Sequence, residues 1–416
     1  MPAGVLMQPQ GIFIMNLFTV NFSAIPLAKP LSYSLRNEEG LLLARKGHMF
    51  FHRAALLKLA GHGTLCVDMH EINAYRESMA QHKAKKVEPS GVNNGHGSTS
   101  NDRRGRHSNH SSVKDQEPVD WFGLQSRTNA VLRQPLRETF PERLGAVQGE
   151  LLDAIGRSPD STLLALMHMA AEENNLYSAT HAMLVGTVCA LAAQDVLDWP
   201  EDLKRALISA ALTMNISMTE LQDQLIIQTT PLSPDQQKLI DSHAQRSVAM
   251  LQELGITDDV WLGAISQHHS AQAGTFKTKS PAEQIARLIH RADVFVARLS
   301  PRASRPSMDS PAAMKSAYFD ETNQVDAAGT SIIKALGIYH PGALVILASG
   351  EIGIVVRRRG SDMLHPTVAA LLSRQGMPMA EPVLRDTSLP ANGIVANVSR
   401  SAVKVRTDLL RLLAVA

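Results

Sequence analysis

Apolar residues recur at spacings of three and four from Trp121 to about Leu336, and this helical period constrains the fold more than any other feature. The stretch LLALMHMAAEENNLYSATHAMLVGTVCALAAQ supplies much of it, and Asp198-Trp199-Pro200 marks the turn that follows. Two capping boxes, each with proline at the first helical position, begin at Ser233 and Ser280. The pattern predicts an all-α bundle of about 200 residues, which we place at residues 119–336.

The segments before this bundle have a different composition. Residues 1–80 contain a hairpin signal around Asn37-Glu38-Glu39-Gly40, then FFHRAALLKLAGHG, which suits a short helix, and then the strand-like TLCVDM. They predict a small N-terminal α+β module. Residues 81–118 are rich in Gly, Ser, Asn and charge, and too few apolar side chains are present to offset the entropy of ordering them. We therefore expect a disordered linker there.

After Gly337 the helical period gives way to runs rich in valine and isoleucine. ALVILASGEIGIVVRRR contains two such runs about Ser349-Gly350-Glu351, which predicts a hairpin. Arg357-Arg358-Arg359 suits a solvated strand end better than an anion site. Residues 337–416 are expected to form a small β-rich C-terminal segment packed on the bundle.

Composition excludes some broad functional classes. The 416 residues carry 41 basic and 39 acidic side chains, and a net charge of +2 gives no global argument for nucleic acid. The apolar run GIFIMNLFTV has about ten residues where a membrane span needs about 20. Cys66 and Cys189 lie in apolar surroundings, as expected of small buried residues in a reducing compartment. We expect a cytoplasmic protein without a membrane span or a nucleic-acid partner.

Five ionisable residues interrupt otherwise apolar helical segments: His181 after LYSAT, His243 after LIDS, His268 and His269 after WLGAIS, and Asp293 in RADVF. A single histidine of this kind is usually a core or edge residue with a hydrogen-bond partner. Imidazoles and carboxylates that project inward from several helices are, however, the way in which helical bundles build metal sites. The five residues are therefore candidate metal ligands.

The order and spacing of these segments resemble the HD-GYP family of HD-domain phosphohydrolases over about residues 160–350. LYSATHAMLVGTVCALA, DLKRALISAALTMNISM, TTPLSPDQQKLIDSHAQRSVAMLQ, ISQHHS and IARLIHRADVFVARLSPRASRP follow in the family's order. The resemblance implies a mainly α fold with an HD-domain-like helical bundle. It also implies metal-dependent cyclic di-GMP phosphodiesterase activity in bacterial signalling, with metal ligands at His181, His243, His268, His269 and Asp293.

The sequence departs from the family at its defining motifs. The His-Asp pair and the lysine that follows it fall on Met214, Asn215 and Met218, and SAQAGTFKTKS lacks the Gly-Tyr-Pro signature. In the family the aspartate of the pair bridges two metals, which clamp phosphoryl oxygens and generate hydroxide. A thioether is a soft ligand and an amide oxygen is neutral, so neither replaces that aspartate. The resemblance therefore implies a pseudoenzyme, degenerate in catalysis.

Two states of the remaining histidines are left open. His243, His268 and His269 suit one divalent metal (Fe, Mn or Zn) if all three reach one point; otherwise they form a metal-free cluster of hydrogen-bonded side chains. Adjacent helical residues point about 100° apart. His268 and His269 therefore share a metal only if the helix end unwinds there.

The segment SPRASRP matches the family's Ser-x-Arg motif. It makes Ser300, Arg302 and Arg305 candidate ligand-binding residues for phosphate, since the planar guanidinium suits that task. The alternative is that both arginines are solvated loop residues.

Three functions remain open for a chain with these features. The first is a degenerate signalling module that binds cyclic di-GMP or an unidentified protein partner. The second is a divergent metal-dependent phosphohydrolase that uses the residual histidines and Asp293, and the third is a structural scaffold. A homodimer is compatible with each of them.

Overall fold

The computed structural model describes residues 17–19, 25, 31, 33–37, 42–48, 50, 65–68, 118–172, 176–270, 275–360, 362–403, 405 and 407–416. The chain divides into two compact units, Met1–Ser111 and Ser112–Ala416. The predicted linker at 81–118 lies outside the described residues except for its last residue, and the predicted helix in FFHRAALLKLAGHG lies outside them except for Phe50.

The N-terminal unit contains a four-stranded sheet in the order β1-β4-β2-β3. Its strands are β1 (Leu17–Thr19), β2 (Leu35–Arg36), β3 (Leu42–Ala44) and β4 (Cys66–Asp68). β2 and β3 pair antiparallel, as the hairpin signal predicted. Leu35 and Leu65 are fully buried in its small apolar core.

The second unit is mainly helical, and its described helices follow the sequence pattern. They are α1 (Trp121–Arg133), α2 (Phe140–Arg157), α3 (Pro159–Glu172), α4 (Tyr177–Asp195), α5 (Glu201–Thr213), α6 (Thr219–Ile227), α7 (Pro234–Asp241), α8 (His243–Glu253), α9 (Asp259–Gln267), α10 (Pro281–Leu299), α11 (Ser310–Tyr318), α12 (Ala327–Leu336) and α13 (Leu409–Leu413). Both predicted capping boxes are present, at the starts of α7 and α10. The mainly α fold predicted from the sequence is confirmed.

Helix α4 runs through the centre of the bundle. Nearly all of its residues are buried, and it packs against α3, α5, α10 and α12. Its sequence YSATHAMLVGTVCALAAQD combines small and aliphatic residues, so neighbouring helices approach it on all sides. His181 stands on this buried helix and therefore needs a partner for each ring nitrogen.

The C-terminal part forms a five-stranded antiparallel sheet in the order β8-β7-β6-β5-β9. Its strands are β5 (Leu344–Leu347), β6 (Ile352–Arg359), β7 (Asp362–Leu372), β8 (Pro378–Asp386) and β9 (Ile394–Val398). β5 and β6 form the hairpin that the two valine- and isoleucine-rich runs predicted. The expected β-rich segment is therefore present.

The sheet joins the bundle through α3. Leu164 of α3 packs into the apolar cluster of the sheet. The side chain of Arg358 on β6 donates to Asp160 of α3 over 2.6 Å, and both side chains are largely buried. The interpretation of all three arginines at 357–359 as a solvated strand end was therefore wrong for Arg358, because folding brings a carboxylate from a distant helix against it.

Within the described part of the chain, no helix combines the length and the apolar character that crossing a membrane requires.

Candidate metal centre

Five side chains that the sequence singled out converge at one end of the bundle, in two groups. His181 on α4 and Asp293 on α10 form the first group, and His243, His268 and His269 form the second. The Asp293 carboxylate interacts electrostatically with the second group, so the two groups are neighbours.

The first group is a hydrogen-bonded pair. His181 Nε2 donates to Asp293 Oδ1 over 2.7 Å, and the hydroxyl of Tyr177, one turn earlier on α4, lies 3.3 Å from His181 Nδ1. Burial opposes ionisation of Asp293, but the hydrogen bond from His181 and the charge interactions of Asp293 with His181, His269 and His268 outweigh it, so the pKa of Asp293 is lowered. Asp293 is therefore an anion that faces the histidines.

The second group brings three imidazoles to one point. Helix α9 ends at Gln267, and His268 and His269 lie in the turn after it. The helix thus ends just before the two histidines. Two adjacent histidines can share one metal only if they are not both in a regular helix, and this condition is met here. One nitrogen from each of His243, His268 and His269 lies within 4.8 Å of the other two.

The hydrogen bonds of His243 and His268 fix where their protons are. His243 Nδ1 contacts the carbonyl oxygen of Ile240, and His268 Nδ1 lies 2.7 Å from that of Ile265. A carbonyl oxygen only accepts, so both Nδ1 atoms carry the hydrogen. Burial lowers the pKa of His243, and it lowers that of His268 to about 3, with repulsion from His269 acting in the same direction. Both rings are therefore neutral, and each Nε2 holds a lone pair.

Those two lone pairs face each other. His243 Nε2 lies 3.1 Å from His268 Nε2, and neither atom has a hydrogen to donate. Two nitrogens bound to one metal at about 2.1 Å are separated by about this distance. Metal-bound histidines also characteristically donate the other ring N–H to a carbonyl or carboxylate, as these two do. The donor set therefore fits one divalent cation among the three histidines.

The residues on which the resemblance places the family's His-Asp pair lie beside His181 and carry different chemistry. Met214 directly follows α5 and is buried, Asn215 comes next, and both line a cavity of about 10 Å³ with His181. The Asn215 Oδ1 is buried and has no hydrogen-bond partner among the described residues. Met218 ends a 3₁₀ turn that precedes α6. These residues do not fit a second metal, because none of them supplies a negative or basic ligand.

The candidate phosphate residues lie after α10. Ser300 is fully buried and donates to the Val296 carbonyl, so its hydroxyl is not presented to solvent. The backbones of Arg302 and Arg305 form an isolated antiparallel β-bridge. Each has a buried guanidinium nitrogen without a partner among the described residues, Nε in Arg302 and Nη1 in Arg305.

This segment reaches the first group through Tyr177. Burial raises the pKa of the Tyr177 hydroxyl. The charge of the nearby Arg302 and hydrogen bonds with Arg302 and Ser300 lower this pKa in part. The Ser-x-Arg segment is thus adjacent to the His181 end of the site.

Sequence reasoning missed two residues of this region, His290 and Glu321. His290 precedes Asp293 by three residues on α10, and its ring lies 5.5 Å from that of His269. His290 Nε2 is 3.0 Å from Glu321 Oε1. The spacing from Asp293 was a signal, since residues three apart share a helix face; the partner Glu321 gave none.

Comparison with known proteins supplies one relative and one solved structure. No protein-family model matches the sequence. The chain is 27% identical over 246 residues to the cyclic di-GMP phosphodiesterase PA4108 of Pseudomonas aeruginosa, a match that covers 56% of this chain and 57% of that protein. The chain thus spans little more than half the length of this relative.

The solved structure of Bd1817, described as an HDG"Y"P protein from Bdellovibrio bacteriovorus, superposes with a TM-score of 0.49 at 15% identity. The superposition covers 77% of this chain and 99% of that one. The similarity to the phosphodiesterase spans more than half of the chain, and the ordered motifs converge on one cluster in the helical unit. This sequence similarity to a cyclic di-GMP phosphodiesterase agrees with the resemblance to the HD-GYP family that the ordered motifs carry.

Proposed function

We propose that this protein is an HD-GYP-type signalling module that holds one divalent metal between His243, His268 and His269 and does not turn over cyclic di-GMP efficiently. The observation that carries the proposal is the approach of two lone pairs, on His243 Nε2 and His268 Nε2, to 3.1 Å. A cation between them removes their repulsion. Imidazole ligands suit Zn, Fe and Mn to different degrees and do not by themselves choose among them.

The proposal of impaired turnover rests on Met214 and Asn215. When bound, a single metal supplies Lewis-acid polarisation of a phosphoryl oxygen; a two-metal clamp on the attacking and leaving oxygens needs a bridging anion. The carboxylate of Asp293, which interacts with this group, is held by His181. Met218 leaves no positive charge where the family has lysine. In-line attack by water on a phosphodiester therefore lacks both the bridge and that cation.

Binding of a cyclic dinucleotide is supported by two observations. The relative from Pseudomonas aeruginosa is a cyclic di-GMP phosphodiesterase. Arg302 and Arg305 each keep a buried guanidinium nitrogen without a described partner, next to the Tyr177 end of the site. A phosphate oxygen is a suitable acceptor for such donors. Ser300 contributes to this segment by fixing its backbone, since its hydroxyl is already engaged.

The second candidate is a divergent phosphohydrolase. It is favoured by the three-histidine donor set, which leaves one tetrahedral position open, and by the anionic Asp293 beside it. In that case one metal and Asp293 would suffice for slow hydrolysis.

Metal analysis together with two assays on the purified full chain separates these functions. We expect about one metal per chain, heat on titration with cyclic di-GMP, and no hydrolysis of it. Metal with turnover would establish the phosphohydrolase instead. Absence of both metal and binding heat would leave a scaffold. The matched variant Arg302→Gln should weaken cyclic di-GMP binding without altering metal content.

A further inference from the structure

A cavity of about 60 Å³ lies between the helical bundle and the C-terminal sheet. Helix α3 lines it with Met167, His168, Ala171 and Glu172, and strands β5, β6 and β7 also contribute side chains. The five candidate metal ligands are not among the residues that line it. Because a cavity needs about 10–15 Å³ to hold one water molecule, this one has room for about four groups of that size.

Most of the cavity wall is apolar. Met167, Met308, Leu344, Ile354 and Leu371 contribute thioether and branched aliphatic side chains to it. Methionine is flexible and polarisable, so it adapts its shape to an occupant. A wall of this composition favours an aliphatic group over a strongly hydrated one.

The polar groups in the wall present hydrogen-bond acceptors. His168 is only 8% exposed, and its Nε2 lies 3.0 Å from the Thr407 carbonyl oxygen, so Nε2 carries the hydrogen. Nδ1 of His168 therefore holds a lone pair, and no described residue donates to it. His340 Nδ1 is likewise bonded to the carbonyl oxygen of Pro341, so its Nε2 accepts the hydrogen of Ser310 Oγ over 2.7 Å. Both His168 Nδ1 and Ser310 Oγ are left as acceptors for a donor in the cavity.

The cavity offers no unpaired charge to an occupant. Glu172 forms an ion pair with Arg400, whose guanidinium also donates to the Val405 carbonyl over 2.7 Å. Burial lowers the pKa of His168 and that of His340 to about 4, so both rings are neutral near pH 7. A charged head group would lose its hydration here without gaining a counter-charge. The lining therefore suits a neutral molecule.

We propose that this cavity binds a small neutral aliphatic molecule that carries a hydroxyl or N–H group, with the donor on His168 Nδ1 and the chain against the methionines. The site is separate from the metal centre and does not depend on the function proposed above. Helix α3 also carries Leu164 and Asp160, which attach the sheet to the bundle. An occupant contacts α3 and the sheet together and therefore stabilises their junction.

Methionine-methyl NMR of the full-length protein tests the proposal with butan-1-ol as the probe. Met167→Leu and Met308→Leu identify the two signals from the cavity. We expect butan-1-ol to shift both signals saturably with a dissociation constant of about 1 mM, which five non-hydrogen atoms allow. Butanoate and butylammonium have a similar aliphatic chain but carry opposite charges, and each should bind at least about 10-fold more weakly.

Diethyl ether isolates the contribution of the hydrogen bond, because it is an isomer of butan-1-ol without a donor. It should bind about 10-fold more weakly than the alcohol. Equal affinity of the two isomers would overturn the role of His168 Nδ1.

A cavity-filling variant tests the location of the site. Ala171→Leu places three additional carbon atoms in the cavity and should abolish the shifts. The matched control is Ala312→Leu, which adds the same atoms at an exposed position of α11 and should bind butan-1-ol as the wild type does.

Two results would overturn the proposal. One is a wild-type titration without saturable shifts, or with equal shifts at the exposed Met377, which would reflect a general solvent effect. The other is unchanged affinity in folded Ala171→Leu. Should that variant fail to fold, the comparison of alcohol, ether and the two charged probes on the wild type decides, since equal binding of all four contradicts a neutral donor site.

Discussion

Nε2 of His181 lies 2.7 Å from Oδ1 of Asp293, so two residues that the sequence made candidate metal ligands are hydrogen-bonded to each other. His181 is buried and Asp293 is one-fifth exposed. The pair links the central helix α4 to α10 through a hydrogen bond. It also keeps an anion next to the three-histidine group without committing it to a metal.

The hydrogen bond between His181 and Asp293 should stabilise the fold. A double-mutant cycle with His181→Ala and Asp293→Ala, measured by urea unfolding in chelator, should give a coupling free energy of about 2 kcal/mol. The exposed pair His365 and Asp362 is the control, and its coupling should stay below about 1 kcal/mol. Equal coupling in the two cycles would mean that burial adds nothing to the His181–Asp293 bond.

Restoring the family pair should add a metal. Met214 and Asn215 line the same small cavity as His181. The double variant Met214→His with Asn215→Asp should therefore raise bound metal from about one towards two per chain, measured by elemental analysis after equilibration with Mn²⁺ or Fe²⁺. Met214→Leu keeps the volume and should change nothing. No extra metal in the folded double variant would show that these positions do not correspond to the family pair.

Acid should destabilise the second unit through buried His340. His340 Nε2 lies 2.7 Å from Ser310 Oγ, and burial lowers the pKa of His340 to about 4, with a smaller effect of Arg358 in the same direction. The unfolded chain takes up this proton near pH 6.5 and the folded chain only near pH 4. Stability is therefore greatest above pH 6.5 and falls as the pH decreases towards 4.

The His340 contribution has an upper bound of about 3 kcal/mol. Urea unfolding at pH 7, 6, 5 and 4 measures it. His340→Gln should have a shallower dependence on pH than the wild type. A residual slope is expected, since burial also lowers the pKa of His168 to about 4. Identical slopes for variant and wild type would assign the acid sensitivity to other groups.

Two glycines in helices should respond to alanine in opposite ways. A Cβ at Gly329 in α12 would overlap the Ala317 carbonyl oxygen, whereas a Cβ at the exposed Gly149 in α2 meets nothing within 4 Å. Gly329→Ala should cost about 3 kcal/mol, and Gly149→Ala should stabilise by about 0.5–1 kcal/mol. Thermal unfolding of both variants measures the difference. A neutral Gly329→Ala would mean that α11 and α12 separate without cost.

Much of the fold was predictable because local chemistry determined it. The helical period from Trp121 to Leu336, the serine–proline caps of α7 and α10 and the hairpin of β5 and β6 depend on residues close together in sequence. The burial of Arg358 against Asp160 was not predictable, because its partner lies 198 residues away in the chain.

For the site, the sequence by itself determined which donor types the chain carries: histidines at 181, 243, 268 and 269 and an aspartate at 293, with Met214 and Asn215 where the resemblance places the His-Asp pair. Only the tertiary structure decided how those donors are used. Nε2 lone pairs of His243 and His268 meet because α8 and the end of α9 pack together, and each Nδ1 finds a carbonyl three residues earlier in its own chain segment. His290 lies beside His269 because α10 packs against α9, and the loop after α11 brings Glu321 to the His290 ring. Residue types are fixed locally, but which lone pairs converge depends on helices that pack together from distant parts of the chain.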